Sequence, residues 1–219
     1  SNFRFFQVMP GQSLTLNRVT LTNGFGAGLT SDGGAIYNDG TLTLISSVLS
    51  GNHGMYGGAV FSSSTGTLSV TNSLISGNLA DNTGGGIRNR GVLTVANSTI
   101  AGNYAASIGG GIANAGIFTL NLSNSVVYGN EAPTSPEIDG GVTSNSSSIV
   151  GVDPSFVSLL DASDTAPATG GDYRLAHYSV AIDAGDNALV PGGITNDLPG
   201  FTRFYNDTGV TDTGLGAAP

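Results

Sequence analysis

The chain has no cysteine, no tryptophan and no lysine, and charged residues fill only 10% of its 219 positions. The missing cysteines exclude disulfides and thiolate metal sites, although they do not fix the compartment. Arginine alone supplies the permanent cations, six of them against fifteen acidic residues, for a formal charge of −9. Nucleic-acid and anionic-membrane surfaces need clustered cations, so neither partner is expected. No apolar run approaches the ~20 residues of a membrane helix, so membrane insertion is not expected either. No signal peptide is visible and Ser1 stands where a start methionine would, so the chain reads as a processed or excised piece. The charge is lopsided: residues 1–150 hold four Arg against six Asp/Glu, and residues 151–219 hold two Arg against nine Asp. The two parts are therefore expected to differ in kind.

What the chain has in abundance is repetition. "GGAIYNDGTLTLISSVLSGN" is followed by three near copies, and the four begin at Gly33, Gly57, Gly84 and Gly109, at spacings of 24, 27 and 25 residues. A period of that size marks a solenoid. Within each unit, "GTLTL", "GTLSV", "GVLTV" and "GIFTL" alternate apolar and polar residues, which is the pattern of a strand with one buried face. Gly and Asn break the chain every five to eight residues, too often for helices. Each unit is thus one coil of about three short strands. The fold class expected is all-β, a right-handed parallel β-helix of about six coils over residues 1–152, followed by a capping or extension segment over 153–219. "GQSLTLNRVTLTNG" (Gly11–Gly24) and "GGVTSNSSSIVG" (Gly140–Gly151) read as degenerate first and last coils.

Stacking the coils predicts four interior columns. They are Ile36, Val60, Ile87 and Ile112; Leu42, Leu68, Leu93 and Phe118; Leu44, Val70, Val95 and Leu120; and Leu49, Ile75, Ile100 and Val127. Asn52, Asn78, Asn103 and Asn130 each follow a Gly, and Asn72, Asn97 and Asn124 make a second row. Stacked at turns, Asn side chains can bond along their column, so both rows are read as structural ladders rather than glycan contacts.

The unit GGAI…GTLTL…ISGN resembles the parallel β-helix repeats of secreted bacterial surface proteins. It is most similar to the polymorphic outer-membrane-protein type, whose hallmark is a GGAI tetrapeptide in each coil. Here that hallmark reads Gly33–Ile36, Gly57–Val60, Gly84–Ile87 and Gly109–Ile112. "VGVDPSF", "GDYRLAHYSVAIDAGDN" and "TRFYNDTGVTDTGLGAAP" resemble the segment that closes such helices. The resemblance covers almost the whole chain and implies an extracellular or bacterial cell-surface location. It says little of activity, because the fold hosts lyases, hydrolases, adhesins and spacers alike. Relatives usually carry further coils upstream and one more strand after "GAAP".

A search for chemistry finds little. Arg88 and Arg90 flank Asn89, read as a solvated turn, with Asp81 a few residues before. Residues 33–130 hold no acidic cluster of the kind glycoside hydrolysis needs. His53 is placed in a turn and His177 in "LAHYS", neither with an Asp or Ser at a recognisable spacing. No catalytic residue is assigned. "DAGDN" offers Asp183, Asp186 and Asn187 as weak candidates for a structural calcium, or equally as turn caps. No other cofactor is expected. Phe3, Phe5, Phe6 and Val8 sit where a solenoid usually carries a polar cap, which marks them as self-association candidates. The function expected is structural: a self-associating subunit stacking head to tail into a fibre or matrix. An adhesin stalk bound to cell-surface glycan, and a polysaccharide lyase or glycosidase on the same scaffold, stand as alternatives.

Overall fold

A computed structural model describes residues 3–26, 31–177, 179–182, 184–190 and 192. The chain folds into a parallel β-solenoid. Three sheets run along it, each of six parallel strands, one per coil, which amounts to about five complete turns. The first sheet stacks Phe6–Val8, Ile36–Asn38, Val60–Ser62, Ile87–Asn89, Ile112–Asn114 and Ile138–Asp139. The second stacks Ser13–Asn17, Thr41–Ile45, Thr67–Thr71, Val92–Ala96, Thr119–Ser123 and Ser144–Ser146. The third stacks Thr20–Thr22, Val48–Ser50, Leu74–Ser76, Thr99–Ala101, Val126–Tyr128 and Ile149–Val150.

Alternation places one residue in two inside. On the first sheet Phe6, Ile36, Val60, Ile87, Ile112 and Ile138 follow one another in register. On the third sheet the column is Leu21, Leu49, Ile75, Ile100, Val127 and Val150. The interior members of both columns are fully buried. Each such side chain contributes roughly 1.5–3 kcal/mol, and it does so only while the coils on both sides are in place.

The second sheet corrects the expected register of the fourth repeat. Leu93 pairs with Leu120, and Val95 with Leu122. The columns are therefore Leu42, Leu68, Leu93, Leu120 and Leu44, Val70, Val95, Leu122, and Phe118 stands outside them. The turn from Asn114 to Thr119 is two residues longer than the one from Asn89 to Val92. Its extra length leaves Phe118 half-buried and Ile117 88% exposed.

Three coils also carry a fourth strand that the alternation did not announce. His53–Tyr56, Leu79–Thr83 and Tyr104–Ala105 form a short parallel sheet. Its buried positions are Gly54, Ala80 and Ala105, too small to give an apolar signal.

After Val150 the chain turns back along the solenoid. Phe156–Ser158 pairs antiparallel with Asp172–Leu175. The segment crosses the corner where Gly51, Gly77, Gly102 and Gly129 take positive φ. Ala168 N–H donates to the Gly77 carbonyl at 2.8 Å, and a Cβ on Gly77 would stand 2.1 Å from the Ala168 oxygen. The corner therefore has to be glycine both for its φ and for the chain lying on it.

Truncating Ile87 to Ala is expected to cost about 2–5 kcal/mol in denaturant unfolding, because it hollows a column bonded on both sides. The same truncation at exposed Ile117 should stay within about 0.5 kcal/mol.

Candidate functional site

Three corners of the solenoid are built around polar side chains. At the corner leaving the third sheet, Asn52, Asn78, Asn103 and Asn130 are buried, none more than 3% exposed. Asn52 donates from its backbone N–H and from Nδ2 to Asn78 Oδ1, both at 2.9 Å. Asn78 does the same to Asn103 Oδ1 at 3.1 and 2.8 Å, and Asn103 to Asn130 Oδ1 at 3.1 and 2.8 Å. Each Nδ2 also reaches a main-chain oxygen in the preceding coil: Leu21, Leu49, Ile75 and Ile100 in turn. From asparagine to asparagine the ladder has one sense, each amide donating to the Oδ1 of the next coil. It ends on Glu137, whose Oε2 accepts from Asn130 Nδ2 at 2.7 Å and whose Oε1 accepts from Gly129 N–H at 2.8 Å. Burial pushes the Glu137 carboxyl above its ordinary range, against the hydrogen bonds from Asn130 and Gly129 that pull it down.

At the corner entering the third sheet, Asn72, Asn97 and Asn124 hold positive φ near 50°. Asn124 Nδ2 donates to Asn97 Oδ1 at 3.3 Å. Beside them runs a serine row that the sequence reading passed over. Backbone N–H groups of Ser47, Ser73 and Ser98 donate to the hydroxyls of Ser73, Ser98 and Ser125 at 3.0, 3.0 and 3.2 Å. The Ser repeated two residues before the inward Leu49, Ile75, Ile100 and Val127 was its signal. At the remaining corner Asn89 Nδ2 donates to Asn114 Oδ1 at 2.8 Å, and Asn38 Nδ2 to Ser62 Oγ at 3.2 Å.

The self-association candidates divide. Val8 is buried and points inward, in register with Asn38. Phe5 packs partly against the core and meets Phe3 edge-on at 5.4 Å. Phe3 is 57% exposed, and Phe6 heads its core column at 36%. At the other end Asn145 takes the place of the core leucines in its column. Nearby lies an open groove of about 400 Å³ lined by Ile149, Val150, Val152 and Val180 among others.

The lateral faces hold the charged groups. His53 begins a strand rather than a turn, and its Nε2 lies 2.8 Å from Asp81 Oδ1 in the next coil. Phe25 meets the His53 ring edge-on at 4.9 Å. The partner is 28 residues away in sequence, a separation no local motif reveals. Arg88 lies on a strand of the first sheet, not in a turn, and Arg90 just past its end. Burial lowers the Arg88 pKa, and the neighbouring charge of Arg90 lowers it further, opposed by Asp139 and Tyr56.

Among the calcium candidates, Asp183 lies outside the described residues. Asp186 caps a short 3-10 turn, its Oδ1 accepting from Ala188 N–H at 2.9 Å. Asn124 brackets Asp186, donating to its carbonyl at 2.7 Å and accepting from its N–H at 2.8 Å. Among the described residues no group of three or more His, Asp or Glu converges on one point, and no helix is long and apolar enough to cross a membrane.

Asn103→Ala strips the acceptor from two Asn78 donors inside the fold. It is expected to cost roughly 2–4 kcal/mol in urea unfolding. Asn121→Ala, whose bond with the Ser144 hydroxyl is exposed, should cost under about 0.5 kcal/mol. Glu137 gives a pH signature. Its folded pKa is raised above the ordinary 4.5, so the folded state holds this proton more tightly. The Glu137 contribution to stability is therefore greatest below 4.5 and falls as pH climbs through the raised folded value. Unfolding of the native chain and of Glu137→Gln, compared between about pH 4 and about pH 7, should show the native chain losing more stability on the alkaline side.

Comparison with protein-family models, with curated proteins and with solved structures finds no match to this chain.

Proposed function

We propose that this chain is a structural, extracellular β-solenoid subunit of the polymorphic outer-membrane-protein repeat type, which stacks head to tail into a fibre or matrix. The observation that carries the reading is the contrast between its two end coils. The first coil holds the heads of four apolar columns, with Phe6 exposed, Leu14 partly buried, and Leu16 and Leu21 buried. Exposed Phe3 and Met9 lie beside them. The last coil ends the same sheets in register at Ile138–Asp139, Ser144–Ser146 and Ile149–Val150. Val152 and Val180, each more than half exposed, border the groove there. Among the described residues the three sheets stop at an edge strand at both ends, and strand edges over an apolar section invite pairing. The two ends differ, so the contact is heterologous and propagates instead of closing. The GGAI tetrapeptides support the family reading, and cell-surface display follows from that reading.

Light scattering and electron microscopy of the purified chain should show linear polymers of a 21.8 kDa unit. Phe3→Ser/Phe6→Ser at one end and Val152→Arg at the other should each return the chain to monomers with unchanged circular dichroism. A native chain that stays monomeric at every concentration overturns the reading.

A further inference from the structure

The flank of the solenoid carries an arrangement that stacking leaves unused. Along the outer face of the first sheet the residues read, coil by coil, Gln7, Tyr37, Phe61, Arg88, Ala113 and Asp139. Tyr37 and Phe61 stack on each other, ring centres 5.2 Å apart and 20° from parallel. The Arg4 guanidinium lies over Tyr37, 5.2 Å from its centroid. The rings are thus occupied by their own neighbours.

Arg88 comes next. Arg90 follows two residues later on the same side, because Asn89 between them is buried and bonded inward to Asn114. Among the described residues no carboxylate comes within 4.0 Å of either guanidinium. Arg88 is half-buried, and its Nη1 reaches only the Ala113 carbonyl at 3.4 Å. In the following coil the matching positions are Ala113, which is buried, and Ala115, neither of which carries a charge. In the preceding coil Ser63 matches Arg90. Its hydroxyl and that of Thr65 are exposed, 3.1 Å apart. Two like charges held together, one partly removed from water, are unfavourable, and Asp139 and Asp32 offset them only from beyond ion-pair distance. A bound anion offsets them directly.

We propose that Arg88 and Arg90 together bind the carboxylate of an acidic oligosaccharide, a uronate-containing glycan. A carboxylate fits guanidinium forks in a bidentate way. The rest of the ligand has to be uncharged and rich in hydroxyls. Asp32, whose charge acts on Arg90, and Asp139, whose charge acts on Arg88, repel a densely charged polymer, as does the net charge of −9. The same carboxylates, with Ser63 and Thr65, offer hydrogen bonds to sugar hydroxyls. The site is independent of the end-to-end contact, so either can fail without the other.

The test is titration calorimetry of the full chain with four probes: a galactose oligosaccharide carrying a single terminal galacturonate, a neutral galactose oligosaccharide of equal length, a polyaspartate peptide and inorganic sulfate. The uronate should bind, weaken with added salt, and shift the Arg88 and Arg90 side-chain NMR signals, while the neutral sugar should not bind. Arg88→Gln/Arg90→Gln should weaken binding at least about tenfold with unchanged circular dichroism, and Arg18→Gln should leave it intact. Absent uronate binding, equal binding by the double variant, or tighter binding of polyaspartate or sulfate overturns the proposal.

Discussion

A solenoid must turn its chain through corners that lie partly inside the protein, and peptide groups there have no sheet to join. Leaving such a group unpaired costs about 1–3 kcal/mol. That constraint governs this structure more than its apolar columns do. Asn52, Asn78, Asn103 and Asn130 meet it at one corner, the serine row at the next, and Asn38, Asn89 and Asn114 at the third. An amide serves where a hydroxyl cannot reach, because it accepts on one side and donates twice on the other. The apolar columns then need only be the right size. Ile, Leu and Val exchange freely along them, whereas the corner residues do not vary along the Asn52–Asn130 column.

This division explains which parts of the repeat tolerate change. The turn between the first and second sheets is two residues long after Asn38 and Asn89 and four after Ser62 and Asn114. Its outer part faces solvent, so insertion there disturbs no buried bond. The glycine corner allows nothing of the kind. It is closed by the asparagine ladder inside and by the returning chain at Leu159, Leu160 and Ala168 outside.

The columns through Ile36 and Leu49 were legible because period-two alternation and a fixed repeat length act together. Phe118 was misplaced because "GIFTL" copies the letters of "GVLTV" while sitting two residues earlier in register; Gly116 occupies the outer turn, not the place of Gly91. The fourth sheet was illegible because its buried side is Gly54, Ala80 and Ala105. The meeting of His53 with Asp81 was hidden for another reason: stacking joins residues one coil apart, and sequence motifs look only a few positions ahead. Arg88 and Arg90 were visible as residues, but their shared face and the alanines beside them needed the register.

The asparagine ladder also gives the molecule a direction. From amide to amide the hydrogens pass one way, from Asn52 to Asn130, while each Nδ2 also donates to a main-chain oxygen of the coil before, and the series stops at the Glu137 carboxyl. Any interior coil can hand the series on unchanged, so duplicating a Gly84-to-Ile108 unit lengthens the rod by about 4.8 Å without new chemistry. The row therefore ends in a different chemistry from its interior: at its last rung a carboxylate takes the hydrogen that an amide oxygen takes at every earlier one.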